Sequence, residues 1–336
     1  MNDETLSKFR HSLKSHRDAL LEWLDTDSPQ KEVNLGGAAI KDVIDVVSEI
    51  KDTLERIEKD KFGLCQVCHE EVETERLELD FTTQICLDHF SHAQLRDLES
   101  DLELAAKVQK QLLPCCFPSV PGIQITAQTN TARIVGGDYY DFFTIKKGVY
   151  GIVLADVMGK GLPASMLMSN LQASLRILGP EYEEPDKLAI HLNELFLYNL
   201  KLISFISIFL AKIDINNRSL HYCNAGHHPA IWWEATSSAI HWLNPTGPAI
   251  GLTKNANFRS EELEFQSGDL FIFYTDGLVE ARNSEDEEFG EDRLVNFVKS
   301  HHNDDADVFL DKLLDAVKNF ALKFHDDVTT LVIKIH

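Results

Sequence analysis

The sequence of 336 residues predicts an α+β layered domain behind a helical N-terminal segment. From about residue 119 onward, short apolar runs separated by turn residues mark strands at 123–128, 149–155, 205–213, 219–224, 270–275 and 328–335. Helical stretches at 163–178 and 185–202 interrupt them, and a third at 305–324 precedes the last strand. Clustered strands with helices inserted between them make layers of sheet and helix. Upstream, the apolar residues change to a spacing of three and four.

That spacing organises the N-terminal third. Leu6, Phe9, Leu13, Leu20, Leu21 and Leu24 suggest a first amphipathic helix, and the turn-rich DTDSPQKEVNLGG follows it. Ile40, Val43, Val47, Ile50, Leu54 and Ile57 then line one stripe of a second helix. The stripe has two readings: ordinary packing within a helical hairpin, or a coiled-coil seam that makes the chain a homodimer. Heptad spacing resumes at Leu95, Leu98, Leu102, Ala105, Gln109 and Leu112, and Pro114 ends that helix because it lacks the amide donor. Gln109 falls at a core position, where a polar residue fixes register at some cost in stability. The expected organisation is a hairpin or coiled coil at 1–62, a cysteine module at 63–90, a linker helix at 91–114 and a catalytic domain at 115–336.

Composition narrows the function. Apolar residues make up 44% and charged residues 26%, as in globular proteins. The densest apolar run, 204–213, is too short to span a bilayer, and the charged start lacks the apolar core of a signal peptide. A cytoplasmic location away from membranes is expected. The net charge of −22, with no dense Lys/Arg cluster, argues against nucleic acid as a partner. Excess carboxylate suits divalent cations.

Cys65 and Cys68 form one C-x2-C knuckle; seventeen residues later, Cys86 and His89 form a C-x2-H knuckle. Two such knuckles can close around one tetrahedral ion, and soft sulfur favours a structural zinc. His69 and His92 fit the spacing less well. Cys115, Cys116 and Cys223 read as packing residues, and Trp232, Trp233 and Trp242 as core or sheet-face residues. The segment GLCQVCHEEVETERLELDFTTQICLDH resembles the DksA/TraR-type zinc finger, with His89 where that family has Cys. The resemblance implies a folded module for protein contacts.

Four aspartate-bearing stretches share a plan. Gly136-Gly137-Asp138 is expected to follow a strand, Asp156 and Asp276 each end one, and Asp326-Asp327 opens one. In an antiparallel sheet one strand's end lies beside its neighbour's beginning, so these carboxylates can converge on one rim. Converging carboxylates repel, and hard cations such as Mg²⁺ or Mn²⁺ resolve the repulsion. Two such ions suit phosphate ester hydrolysis, because they neutralise the substrate and acidify a water.

Read in order, AAKVQKQLLP (105–114), ARIVGGDYYDFF (132–143), LADVMGKGLPASMLM (154–168), NAGHHPAIWW (224–233), LNPTGPAIGL (243–252), GDLFIFYTDGLVEARN (268–283) and DDVTTLVI (326–333) resemble the SpoIIE/RsbU branch of the metal-dependent PPM (type 2C-like) protein phosphatases. The resemblance implies two antiparallel sheets sandwiched between helices, and hydrolysis of phosphoserine or phosphothreonine on a protein. It implies two Mn²⁺ or Mg²⁺ ions held by Asp156, the Val157 carbonyl, Asp276 and Asp326, with Asp138 at the same rim. Asp326 is preferred over Asp327 as the ligand. The histidine acid of the wider family is missing from Asp156-Val-Met-Gly-Lys-Gly161, which leaves the leaving-group acid unassigned. Lys160 reads either as a phosphate-binding cation or as a solvated loop charge. His227 reads either as a substrate contact or as an ordering residue of its turn, and Thr246-Gly247 is expected to shape a loop nearby. In this branch the usual substrate is a phosphorylated STAS-type anti-sigma antagonist in partner-switching. The alternative is a pseudophosphatase or scaffold that binds a phosphoprotein or transcription machinery through its zinc module.

Overall fold

Strands that carry apolar side chains on both faces must be covered on both, and this requirement shapes the C-terminal part of the chain. In the computed structural model, all eight residues of the last strand are buried, as are seven of the nine in Val149–Val157. The structure describes residues 6–336 apart from 8, 12, 15–16, 19–20, 22–43, 45, 80, 115–116, 118, 200–204 and 322–323. Of the sequence expectations, Leu20, Leu24, Ile40, Val43, Cys115 and Cys116 lie outside the described residues.

The chain divides into two units, Met1–Leu98 and Glu99–His336. In the first, residues 46–58 are helical, and the short helix α1 (Thr74–Leu79) lies within the cysteine module. Ile50, Leu54 and Ile57 pack with Leu13, Phe62, Cys65, Val72, Leu77 and Cys86 into one core. These three residues of the apolar stripe are therefore spent on the unit's own interior. Helix α2 (His92–Leu112) is continuous across the boundary at Leu98.

Among its described residues, the second unit holds ten strands: β1 (Ile123–Asn130), β2 (Tyr139–Lys146), β3 (Val149–Val157), β4 (Ile206–Asp214), β5 (Ser219–Ala225), β6 (Ala230–Glu234), β7 (Ala239–Leu243), β8 (Glu261–Glu264), β9 (Leu270–Tyr274) and β10 (Val328–Ile335). They form two five-stranded sheets, in the orders β1-β10-β9-β6-β7 and β2-β3-β4-β5-β8. Every pairing is antiparallel. Tyr140, Ile152, Leu154, Phe209 and Ile213 of one sheet meet Phe271, Phe273, Leu331 and Ile333 of the other in the central core.

Alternate residues of the same strands face outward. Val153, Ala155 and Val157 pack under α3 (Leu162–Leu178) and α4 (Pro185–Asn199). Ile272, Tyr274, Val328 and Val332 pack under α5 (Asp276–Val279), α6 (Gly290–His301) and α7 (Ala306–Phe320). The layers run helix, sheet, sheet, helix, as the sequence led one to expect. Strands β2, β6, β7 and β8 and helices α1, α5 and α6 were not foreseen.

The Asp138 stretch follows β1 through the loop 131–138, and Asp138 immediately precedes β2. Gln109, expected at a core position, is buried in the second unit and bonded to the backbone of Gly136.

Asp141 ties the sheet to its helical cover. Its fully buried carboxylate accepts from the Tyr139 hydroxyl at 2.6 Å and from the Phe142 amide at 2.8 Å, and it pairs with Arg176 of α3 at 3.0 Å. Arg176 is half-exposed, but leaving the buried hydroxyl and amide donors unsatisfied costs about 2–3 kcal/mol. Asp141→Ala is therefore expected to lower the melting temperature by roughly 5–10 °C, measured by thermal unfolding in EDTA.

Candidate metal centre

The antiparallel register builds the site. Tyr139 at the start of β2 pairs with Ala155 near the end of β3, which brings Asp138 beside Asp156. Tyr274 at the end of β9 pairs with Thr330 near the start of β10, which brings Asp276 beside Asp326 and Asp327. A cleft at the sheet ends is lined by Asp156, Val157, Lys160, Asp276 and Asp326, with Ser207, His227 and His228 on another wall. The structure thus gathers the predicted carboxylates from four distant parts of the chain.

Close backbone approach makes the gathering possible. A Cβ on Gly136 would stand 2.2 Å from Asp327 Oδ2, and one on Gly277 would stand 2.1 Å from the Asp327 carbonyl. Only glycine fits at either position. Asp327 has its oxygens occupied: Oδ1 accepts from the Ala132 amide and Oδ2 from the Gly137 amide, both at 2.8 Å. Asp326 instead lines the cleft.

The carboxylates resist ionisation together. Burial, then the charges of Asp156 and Asp327, hold Asp138 well above the usual range. Burial, then Asp276, Asp326 and Asp327, push Asp156 up to about 7. Asp276 is raised by burial and by Asp326, against the opposing influence of His228 and Lys160. The Thr275 hydroxyl donates to Asp138 Oδ2 at 2.8 Å and accepts from the Thr329 amide at 3.0 Å. This all-oxygen, mutually repelling set fits hard divalent cations.

Lys160 is the cation of the cleft. Its Nζ lies 2.8 Å from Asp326 Oδ2 and donates to the His325 carbonyl at 2.9 Å. His227 is buried; its Nδ1 lies 2.8 Å from the Ser207 hydroxyl, and its amide donates to Asn224 Oδ1. Burial, then neighbouring His228, pulls its pKa down to about 3, so it stays neutral. The Asn224 amide donates to the Thr246 hydroxyl, and the Thr246 amide donates to the Asn224 carbonyl, which pins the same turn. Sequence reasoning passed over His228, whose ring packs 5.6 Å from that of Tyr274, and also Thr275 and Ser207. Ser207 stands opposite Asp156 in the β3–β4 register, which no local sequence pattern announces.

In the first unit, donor atoms of Cys65, Cys68, Cys86 and His89 lie within 4.8 Å of one another. Cys65 Sγ accepts from the amides of Val67 at 3.4 Å and Cys86 at 3.5 Å. Burial would raise the Cys65 thiol, but surrounding amides bring it down to about 6. A stabilised thiolate among soft donors fits a tetrahedral zinc site.

The sandwich and its acidic cleft match the PP2C/PPM phosphatase fold. The SiaA-PP2C domain of Pseudomonas aeruginosa superposes with a TM-score of 0.63 at 20% identity, covering 74% of this chain and all of that domain. A family model described as "Stage II sporulation protein E (SpoIIE)" matches residues 146–336. The chain belongs to this family, the SpoIIE-domain branch of the PPM phosphatases. It is 26% identical over 265 residues to "Phosphoserine phosphatase RsbU" of Bacillus subtilis, covering 76% of this chain and 78% of RsbU. It is 31% identical over 185 residues to "Phosphoserine phosphatase RsbP" of the same organism, covering 54% of this chain and 45% of RsbP.

Asp156→Asn removes one charge from a repelling cluster. In EDTA it is expected to raise the melting temperature by roughly 2–4 °C, the equivalent of about 1 kcal/mol. The same substitution should abolish the upward shift that Mn²⁺ gives the wild type. Both are read from melting curves with and without Mn²⁺.

Proposed function

We propose that this chain is a metal-dependent protein serine/threonine phosphatase acting on a phosphorylated regulatory protein. The observation that supports it most is the convergence of Asp156, Asp276 and Asp326 in one cleft, with Asp138 buried behind them. Asp138, Asp156, Asp276, Asp326 and the Val157 carbonyl would hold two Mn²⁺ or Mg²⁺ ions. When bound, these ions supply positive charge for the phosphoryl oxygens and acidify a water as nucleophile.

The protein's own groups prepare the site. Thr275 orients Asp138, and the two amides on Asp327 hold the turn that presents Asp326. Lys160, half-exposed at the cleft, can meet a phosphoryl oxygen. His227 orders its turn, while His228 is the less buried histidine of the pair. Among the described residues, no helix is long and apolar enough to cross a membrane.

The substrate reading follows from the relatives' names, which specify phosphoserine. A STAS-type antagonist in a partner-switching circuit is the proposed substrate. Zinc at Cys65, Cys68, Cys86 and His89 would stabilise the N-terminal module as a sensor of a partner. A homodimer could use α2, which exposes Leu98, Leu104 and Val108, whereas Val47, Ile50, Leu54 and Ile57 of the upstream stripe are buried.

With Mn²⁺ present, the wild type should release phosphate from a phosphoserine protein. Asp156→Ala should lower kcat/KM by about a thousandfold, a loss of roughly 4 kcal/mol of transition-state stabilisation. Equal hydrolysis by both proteins, or none by either, overturns the reading. Chelator-resistant zinc, measured as one ion per chain by atomic absorption, should disappear in a Cys65→Ser, Cys86→Ser double variant.

A further inference from the structure

Gln109 is a polar side chain on the last turns of α2, yet it is only 7% exposed. Its amide makes two hydrogen bonds to a single residue. Nε2 donates to the Gly136 carbonyl at 2.6 Å, and Oε1 accepts from the Gly136 amide at 3.1 Å. A side chain here does for Gly136 what a neighbouring strand does for a paired residue. Residues 131–138 have neither helix nor strand of their own, so this stretch depends on such outside partners.

The other side of the same stretch faces the carboxylates. The next amide, Gly137, donates to Asp327 Oδ2, and Ala132 donates to Oδ1. A Cβ on Gly137 would lie 2.9 Å from the Val157 carbonyl, so this loop also abuts the backbone oxygen assigned to the metal site. Asp138 follows directly, and the Asp327 amide in turn donates to Asp326 Oδ1 at 2.9 Å. The loop is gripped between Gln109 on one side and Asp327 on the other.

We infer that Gln109 is a positioning residue for the divalent-cation site, holding the 131–138 loop so that Asp138, Asp326 and the Val157 carbonyl keep their places. It touches neither metal nor substrate; it acts through Gly136. Partners behind metal ligands commonly control affinity by about 10–100-fold when removed. This inference rests on the metal-dependent phosphatase reading.

The test is Mn²⁺ titration calorimetry on the full chain. Gln109→Met keeps length and volume but offers neither hydrogen bond. It should raise the Mn²⁺ Kd by about 10–100-fold, while far-UV circular dichroism in EDTA stays that of the wild type. Gln109→Glu keeps the acceptor for the Gly136 amide and loses the donor, so its Kd should fall between the two. A folded Gln109→Met whose Kd lies within twofold of wild type overturns the inference. Should Gln109→Met fail to fold, an unchanged Kd in Gln109→Glu does the same. A wild type that binds no Mn²⁺ sinks the phosphatase reading as well, whereas equal binding by wild type and variant sinks only the role of Gln109.

Discussion

Mutual repulsion among buried carboxylates is the constraint around which the C-terminal unit is arranged. Asp138 and Asp156 come from one sheet, and Asp276, Asp326 and Asp327 from the other, so both sheets end at the same acidic rim. Burial disfavours the charged forms of Asp138, Asp156, Asp276 and Asp327, and neighbouring carboxylates add to the penalty. A fold selected for stability alone would disperse these groups. Holding them together demands rigid strands behind them, and the central core between the sheets supplies that rigidity. The penalty is offset when cations bind, which couples stability to the chemistry proposed for the site.

Saturation by local donors separates the acids that build from the acids that are free to bind. Asp141 and Asp327 sit in the same motifs as Asp138 and Asp326. Both are surrounded by donors: Tyr139, Phe142 and Arg176 for Asp141, Ala132 and Gly137 for Asp327. Among the described residues, Asp326 has only Lys160 and the next residue's amide, and it opens to the cleft. A flexible lysine is easily displaced by a harder, more highly charged ion, whereas paired backbone amides are not. On the metal-site reading proposed above, the two members of each pair would serve different ends despite identical chemistry.

Much of this was legible before any coordinates. Apolar runs at 149–155, 270–275 and 328–335 located β3, β9 and β10, because strands covered on both faces read as continuous hydrophobic segments. Their terminal aspartates located the rim. The unforeseen strands lacked that signature. β8 is EELE, an exposed acidic edge, and β2 turns from buried to alternating halfway along. The glycines ahead of Asp138 read as a turn after a strand, which hides that Asp138 also opens β2. His228 and Ser207 carry no local signal, since their position depends on the pairing of strands remote in sequence.

The heptad in 95–112 shows where periodicity stops being informative. A helix that packs against another helix and a helix that packs against a sheet domain bury the same stripe, so spacing alone cannot name the partner. The polar residue within the stripe discriminates. A glutamine in a coiled-coil seam needs a partner side chain from a second helix, whereas Gln109 finds both of its partners on Gly136. Leu113, just past the helix, packs against the apolar clusters on both faces of the β2–β8 sheet. The C-terminal turns of α2 thus belong to the second unit, although the helix starts only three residues after His89. Any displacement of these C-terminal turns must either break two buried hydrogen bonds or carry residues 131–138 with it.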